Sequence, residues 1–349
     1  MHKRYIRVAV IGAQGYSGLV LAKLLIEHPC VEFVAVFSRN PCWKLCDDLP
    51  HEFASKVPTY SMEKLFDILP RLDAIFLATP VEVSLALVPK LLQFHLKIID
   101  LSGAFRLKPL SYAKAYGHKH TASSVIAQAS YGLCPWQRIY KQLVSNPGCY
   151  ATGALMALIP LLRAGVIDPG SVIVDAKSGV TGSGRSPKTP LLFAELAEDF
   201  YPYKIEGHQH LPEIETYLRG FSSVLCSPTL ITHLLPIRSG IQMTIYTNLL
   251  LSEEAVIRAF HCAYGDYPFL TFSLLKTLSS GQKKKKLSLR GVVGTAQIHV
   301  VMEVKGEKLL LFVTFDNLLK GAASQAIENF NQIFQLPLTS GLVKEKVVL

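Results

Sequence analysis

Asn146-Pro147-Gly148-Cys149-Tyr150 sets a cysteine directly after a Pro-Gly turn and ahead of an apolar run that reads as a helix from Thr152 to Leu162. A thiol in that place points at backbone N–H groups with no intrahelical partner, where the positive end of the helix dipole favours thiolate. Thiolate is the nucleophilic form, so Cys149 is the candidate for covalent catalysis. Downstream, Gly207-His208-Gln209-His210-Leu211-Pro212-Glu213 brings two histidines together just before a helix opened by Pro212 and Glu213. Imidazole titrates near neutrality (about 6.5), which suits acid/base work beside a thiol. No Cys or Asp stands at a spacing that would make these histidines metal ligands, and Cys42 and Cys46 have no second pair, so no metal is expected.

A thiolate needs a partner in the chemistry, and the N-terminal half reads as a holder for one. Arg7–Ile11 is a short β-branched strand leading into Gly12-Ala13-Gln14-Gly15-Tyr16-Ser17-Gly18 and a helix over Leu19–Glu27. In that context the three glycines serve a tight turn, close backbone approach to a pyrophosphate, and close packing of helix on strand. A second strand, Val31–Phe37, ends in Ser38-Arg39-Asn40, with no carboxylate for a ribose 2′-hydroxyl. A hydroxyl and a guanidinium suit a 2′-phosphate, so NADP is favoured over NAD. The pattern continues with a strand over Leu72–Ala78, a Thr79-Pro80 edge facing the nicotinamide or adenosine side, a helix over Val83–Phe94 and a strand over Lys97–Ser102. Alternating strands and helices imply a Rossmann-type, doubly wound parallel sheet in an α/β protein.

The second half follows a different pattern. A strand over Ser171–Gly179 is followed by Val180-Thr181-Gly182-Ser183-Gly184-Arg185-Ser186-Pro187, whose N–H groups, hydroxyls and arginine could form either an anion site or a flexible linker. Strands over Thr244–Leu251, Gln297–Val304 and Leu309–Phe315, the last two joined by a Lys305–Lys308 turn, imply a mixed or antiparallel sheet. Asp316-Asn317 then opens a helix running to Phe334.

Length and composition bound the function. A chain of 349 residues exceeds the about 250–300 at which single cores stop growing, so two domains are expected. Seven irregularly spaced cysteines describe no disulfide framework and point to a reducing cytoplasm. Met1–Arg4 before Ile6–Ile11 makes too short an apolar stretch for a signal peptide, and no run suits a membrane span. The net charge of +10 fits a phosphorylated, carboxylated substrate and a phosphate-rich cofactor. The densest basic run, Lys283–Lys286, has no interleaved aromatics to stack on bases and reads as a solvated loop, so no nucleic-acid partner is expected.

Taken in order, these segments resemble the N-acetyl-gamma-glutamyl-phosphate reductase family, NADPH-dependent enzymes of arginine biosynthesis within the aspartate-semialdehyde dehydrogenase superfamily. Further segments carry the resemblance: Asp100-Leu101-Ser102 with Phe105-Arg106-Leu107, Tyr131-Gly132-Leu133, Lys177-Ser178-Gly179, Thr232-His233-Leu234-Leu235-Pro236 and Asp316–Ala323. The resemblance implies a dinucleotide-binding domain of residues 1–148 completed by a C-terminal helix, 321–349, and an α+β catalytic and dimerisation domain of 149–320. It implies that Cys149 attacks the acyl phosphate of N-acetyl-L-glutamyl 5-phosphate, that phosphate leaves a thioester behind, and that reduction gives the 5-semialdehyde. His208 or His210, with His210 preferred, would handle protons. Around the cofactor it points to Gly12, Gln14, Gly15, Tyr16, Ser17, Gly18, Ser38, Arg39, Thr79, Pro80, Ser178, Gly179, Gly182 and Asn317. Ser102, Asn146 and Glu213 are its substrate candidates; Arg106, Ser183 and Arg185 join them by charge logic. A homodimer or homotetramer is expected.

Three departures stand out. Arg39-Asn40-Pro41-Cys42-Trp43 follows Ser38 where the family has Ser-x-x-x-Ala-Gly, which puts adenine-side contacts in doubt. Arg290-Gly291-Val292-Val293-Gly294-Thr295-Ala296 replaces an Arg-Gly-Thr-Asn-x-Cys, and Ala151 stands for a proline. The rival readings are a reductase of a related acyl phosphate (aspartyl phosphate, or aminoadipyl phosphate on a carrier protein) and an inactive NADP-binding regulatory protein.

Overall fold

The computed structural model describes residues 5–40, 42–222 and 224–342; Met1–Arg4, Pro41 and the 343–349 end of the expected C-terminal helix lie outside the described residues. The chain divides into two compact units, Met1–Gly148 with Ala322–Leu349, and Cys149–Gly321.

The first unit is built on seven strands, β1 (Ile6–Ile11), β2 (Val31–Ser38), β3 (Thr59–Ser61), β4 (Ala74–Leu77), β5 (Lys97–Asp100), β6 (Ala129–Tyr131) and β7 (Leu143–Ser145). They lie in the order β3-β2-β1-β4-β5-β7-β6, and every pairing is parallel. Parallel strands are covered on both faces, which is why Val8–Val10 and Ala74–Leu77 are buried without alternation. The strand order reverses direction between β1 and β4, so a crevice opens at their carboxyl ends, the usual ligand position in such sheets. Helices Tyr16–Ile26 and Val81–Leu91 leave these two strands, each starting two or three residues earlier than the apolar pattern alone predicts.

The second unit holds β8 (Ile173–Ser178), β9 (Tyr201–Tyr203), β10 (Thr229–Leu234), β11 (Ile241–Asn248), β12 (Leu270–Leu274), β13 (Ile298–Lys305) and β14 (Lys308–Phe315). Their order is β12-β13-β14-β11-β8-β10-β9, a mixed sheet in which β8 runs parallel to β10 and antiparallel to β11. Helix Cys149–Arg163 packs against this sheet and is buried from Tyr150 to Leu162, the all-round burial of a core helix. Pro160 inside it has no N–H for the carbonyl of Met156, and the Tyr264 hydroxyl donates to that carbonyl instead, at 2.6 Å. Tyr264 ends helix Glu253–Tyr264, whose Ser252 cap accepts from the Ala255 N–H. The mixed sheet therefore meets a helix whose interior proline is compensated.

Four sequence expectations change. The Cys149 helix begins at Cys149 itself, so the thiol sits in its first turn rather than ahead of it. Lys283–Lys286 is no loop: helix Ser280–Leu287 is opened by a reciprocal Ser279–Gln282 capping box, which supplies the orphan N–H partners that the lysines cannot. Val180–Ser183 forms a short 3-10 turn. The helix expected from Asp316 to Phe334 is a π-turn over Leu319–Ala323 followed by an α-helix over Ser324–Ile333.

Candidate active site

In the first unit the glycine loop has the shape a dinucleotide needs. Gly12 follows β1 with φ +87°, and a β-carbon there would stand 2.4 Å from the Ala78 carbonyl oxygen at the end of β4. At Gly18 a β-carbon would stand 2.3 Å from the Gly12 oxygen, so helix and loop can approach only without side chains. Gly15 has open space and caps helix Tyr16–Ile26, whose first turn carries no acidic residue to oppose an anion. Gln14, Tyr16 and Ser17 are half-buried on this loop. The Ser38 hydroxyl donates to Gln14 Oε1 at 3.2 Å and accepts from the Asn40 N–H, while Arg39 is exposed beside it. These residues fit a dinucleotide carrying a 2′-phosphate.

A polar chain joins the next two strand ends. Thr79 Oγ1 bonds Ser84 Oγ at 2.8 Å, Ser84 donates to Asp100 Oδ1, and Asp100 accepts the Ser102 hydroxyl on Oδ2 and the Ser102 N–H on Oδ1. Burial holds the Asp100 carboxyl above its ordinary range against the pull of those hydrogen bonds. Pro80 is exposed at the same edge. Arg106, a candidate for substrate, is buried and donates from Nε to the Asn146 carbonyl and from Nη2 to the Leu101 carbonyl, both at 2.8 Å. Asn146 donates to the Ala322 carbonyl and accepts from Asn329 Nδ2. Both side chains thus brace the Asn-Pro-Gly turn that leads into Cys149.

The second unit carries the rest. Ser178 and Thr181 are buried, and the Asn317 amide is committed at both ends, accepting the Gly240 N–H and donating to Thr181 Oγ1. Gly179 lies against the carbonyls of Ile237 and Arg238, where a β-carbon would come within 2.8 Å. Gly182, Ser183 and Arg185 follow on the exposed side of this turn. Glu213 is buried in the first turn of helix Leu211–Leu218. Sequence reasoning grouped Ser178, Gly179, Gly182 and Asn317 with the glycine loop, but they belong to the other unit.

Cys149 is half-buried at the first position of its helix, with no acidic residue in that turn. A β-carbon on Gly321 would come within 2.8 Å of Cys149 Cβ, so the π-turn passes close because that residue is glycine. Tyr150 presents its ring edge-on to His208, 5.0 Å between centroids, and lies 5.9 Å from His210; the two imidazoles are 4.7 Å apart. The Tyr150 hydroxyl bonds that of Tyr203 at 2.8 Å. Burial pushes Tyr203 up to about 12 and pushes Tyr150 up as well, so both phenols stay protonated. His208 Nδ1 accepts the His210 N–H at 3.1 Å, which leaves Nε2 to carry the ring proton of the neutral form. Burial, then the Lys204 charge, pushes His208 down to about 3. It is therefore a neutral, fixed imidazole near pH 7, and His210 is the ring with a backbone of its own to lead the helix.

Tyr150, Tyr203, Lys204 and Gly321 were not singled out from the sequence. Tyr150 was visible beside the cysteine, but Tyr203 meets it only because β9 pairs with β10, a contact between residues 53 apart. Among the described residues no group of three or more His, Cys, Asp or Glu could hold a metal ion, and no helix is long and apolar enough to cross a membrane.

Comparison with known proteins agrees with this division. Residues 7–142 match the family model described as semialdehyde dehydrogenase, NAD binding domain, and residues 149–317 match the semialdehyde dehydrogenase dimerisation domain. The chain is 36% identical over 343 residues to the N-acetyl-gamma-glutamyl-phosphate reductase of Bacillus cereus (strain AH187), covering 96% of this chain and 98% of that one. It is 37% identical over 342 residues to that of Bacillus mycoides, with the same coverage. Among solved structures, aspartate semialdehyde dehydrogenase II of Vibrio cholerae shares the fold with a TM-score of 0.69 at 14% identity, over 95% of this chain and 99% of that one. The Candida albicans aspartate semialdehyde dehydrogenase, solved with NADP, gives 0.65 at 14% identity, over 95% and 98%. With relatives so named matched over nearly their whole length, the chain belongs to the N-acetyl-gamma-glutamyl-phosphate reductase family, oxidoreductases built from the two semialdehyde dehydrogenase domains.

Proposed function

We propose that this protein carries out the NADPH-dependent reductive dephosphorylation of N-acetyl-L-glutamyl 5-phosphate to N-acetyl-L-glutamate 5-semialdehyde, a step of arginine biosynthesis. The observation that carries this reading is Cys149 in the first turn of its helix, beside Tyr150 and the His208–His210 pair in one unit. His210 takes the thiol proton, and Cys149 Sγ forms a bond to the acyl carbon. The carbon–oxygen bond to phosphate breaks, and phosphate leaves with the electron pair. When bound, NADPH supplies the hydride that reduces the resulting thioester. Protonated His210 faces the carbonyl oxygen as charge develops on it, and the sulfur departs as thiolate. His208, held neutral with its proton on Nε2, serves as a fixed donor and a support for His210 rather than as the base.

The dinucleotide is assigned to Gly12, Gln14, Gly15, Tyr16, Ser17 and Gly18, with Ser38 and Arg39 at the 2′-phosphate and Thr79 and Pro80 at the neighbouring strand end. The absence of a carboxylate after β2 supports NADP over NAD. The second unit exposes Ile173 and Tyr246, paired across β8 and β11, on the open face of its sheet, which supports a homodimer or homotetramer in a cytoplasmic enzyme.

The reaction run backwards tests the reading. With NADP and phosphate, N-acetyl-L-glutamate 5-semialdehyde should be oxidised, aspartate semialdehyde and carrier-bound aminoadipate semialdehyde should not, and Cys149→Ala should abolish turnover while NADPH still binds. Preference for another semialdehyde would transfer the assignment to that substrate. Full activity in Cys149→Ala would end the thioester mechanism.

A further inference from the structure

Lys204 is a residue whose conformation and electrostatics the reaction as described leaves unused. It follows Tyr203 directly and has φ +51°, a left-handed backbone that a non-glycine residue adopts at a cost of about 1 kcal/mol or more. Its amine donates to Gln209 Oε1, the side chain between His208 and His210, so it is tied to the histidine segment. Much of its stem is exposed, yet the surroundings desolvate the amine. That desolvation and the charge of Lys188 push its pKa down, while the charge of Cys149 pulls it up. Among the described residues no carboxylate pairs with it. Two ammonium groups are therefore held near each other and near the nucleophile with no protein anion between them, an arrangement that an anionic ligand completes.

We propose that Lys204, seconded by Lys188, is the cationic subsite that holds the phosphate group of the acyl phosphate. This rests on the thioester reading and deepens it. The choice of phosphate over the substrate carboxylate follows from connectivity. The phosphate oxygen is bonded to the very carbon that Cys149 attacks, whereas the carboxylate lies at the far end of the chain. A cation that feels the sulfur charge is thus placed for the phosphate. As the sulfur–carbon bond forms and the carbon–oxygen bond breaks, negative charge passes from sulfur to the departing phosphate, and the same ammonium faces both. No proton or redox equivalent is needed from Lys204. Tyr150, Tyr203, His208 and His210, the other titratable groups around this corner, are neutral near pH 7 or assigned to proton transfer, so the two lysines supply its positive charge.

Inorganic phosphate is the probe. In the reverse reaction Lys204→Gln should raise KM for phosphate about 10-fold or more, as loss of a charge-assisted bond predicts. KM for the semialdehyde should stay within about twofold on the same reasoning, since that ligand carries no phosphate. Lys204→Arg should keep the phosphate KM near that of the unaltered enzyme, and Lys188→Gln should raise it less. Phosphate should also slow iodoacetamide alkylation of Cys149 in the unaltered protein and fail to do so in Lys204→Gln, a readout independent of turnover. An unchanged phosphate KM in Lys204→Gln overturns the subsite, as does a rise confined to the semialdehyde KM, which would assign the amine to the carboxylate. Equal losses in the Arg and Gln variants would trace the effect to the left-handed backbone and overturn it too. Absence of any phosphate-dependent turnover in the unaltered enzyme would instead overturn the thioester reading beneath it.

Discussion

His208 illustrates how a side chain can be chemically informative without being the reacting group. Its Nδ1 is committed to the His210 N–H, and burial beside Lys204 pushes it from 6.5 to about 3. Between those two values the unfolded chain binds a proton that the folded chain refuses, so stability is full above pH 6.5 and falls as acid is added. His120 and His299 are lowered by burial as well and act in the same direction. Urea midpoints should therefore drop between pH 6.5 and 5. His208→Asn, which keeps an acceptor near the Nδ1 position, should flatten that dependence by up to about 1.4 kcal/mol per pH unit, the worth of one proton. An identical slope in the variant would mean that His208 titrates normally. The two histidines were legible as a pair from their spacing, but the division between them was not. It depends on which nitrogen receives a backbone N–H and on a lysine whose amine reaches the same corner.

At the scale of elements, legibility followed how local the physics is. The glycine loop could be read because each glycine answers to a neighbour only a few residues away or to the next strand in the same sheet. Gly18 and Gly12 are the clearest case: Gly18→Ala would set a methyl group 2.3 Å from the Gly12 oxygen. That substitution should weaken NADPH binding by at least about 10-fold in a fluorescence titration, because loop and helix must separate to admit it. Unchanged affinity would show that the loop does not hold the cofactor. The helix over Ser280–Leu287 was hidden for a different reason. Four consecutive lysines offer no apolar stripe, and the signal that mattered was the Ser279–Gln282 capping box at its start. The Cys149 helix was placed three residues late because its apolar run begins at Thr152, although its first turn needs only N–H groups and a Pro-Gly entry.

At the scale of the whole molecule, the first unit was the more legible because a parallel sheet alternates strand and helix in sequence order. The second was legible only as a mixed sheet. That β8 lies between β11 and β10, and that β9 closes the edge and delivers Tyr203 to Tyr150, is set by pairings across about 30 to 70 residues that no local pattern records. The consequence for mechanism is a division of labour. The proposed nucleophile, the histidines and the lysine subsite belong to the unit Cys149–Gly321, and the glycine loop to the other. Acylation of Cys149 should then need no dinucleotide. The most direct measurement is to present N-acetyl-L-glutamyl 5-phosphate to the enzyme without NADPH, follow phosphate release, and locate the acyl group by peptide mass. The account predicts a burst of about one phosphate per site, matched by one N-acetylglutamyl group on the Cys149 peptide and discharged as semialdehyde when NADPH is added. Phosphate release without an adduct on Cys149, or an adduct on another residue, would contradict it.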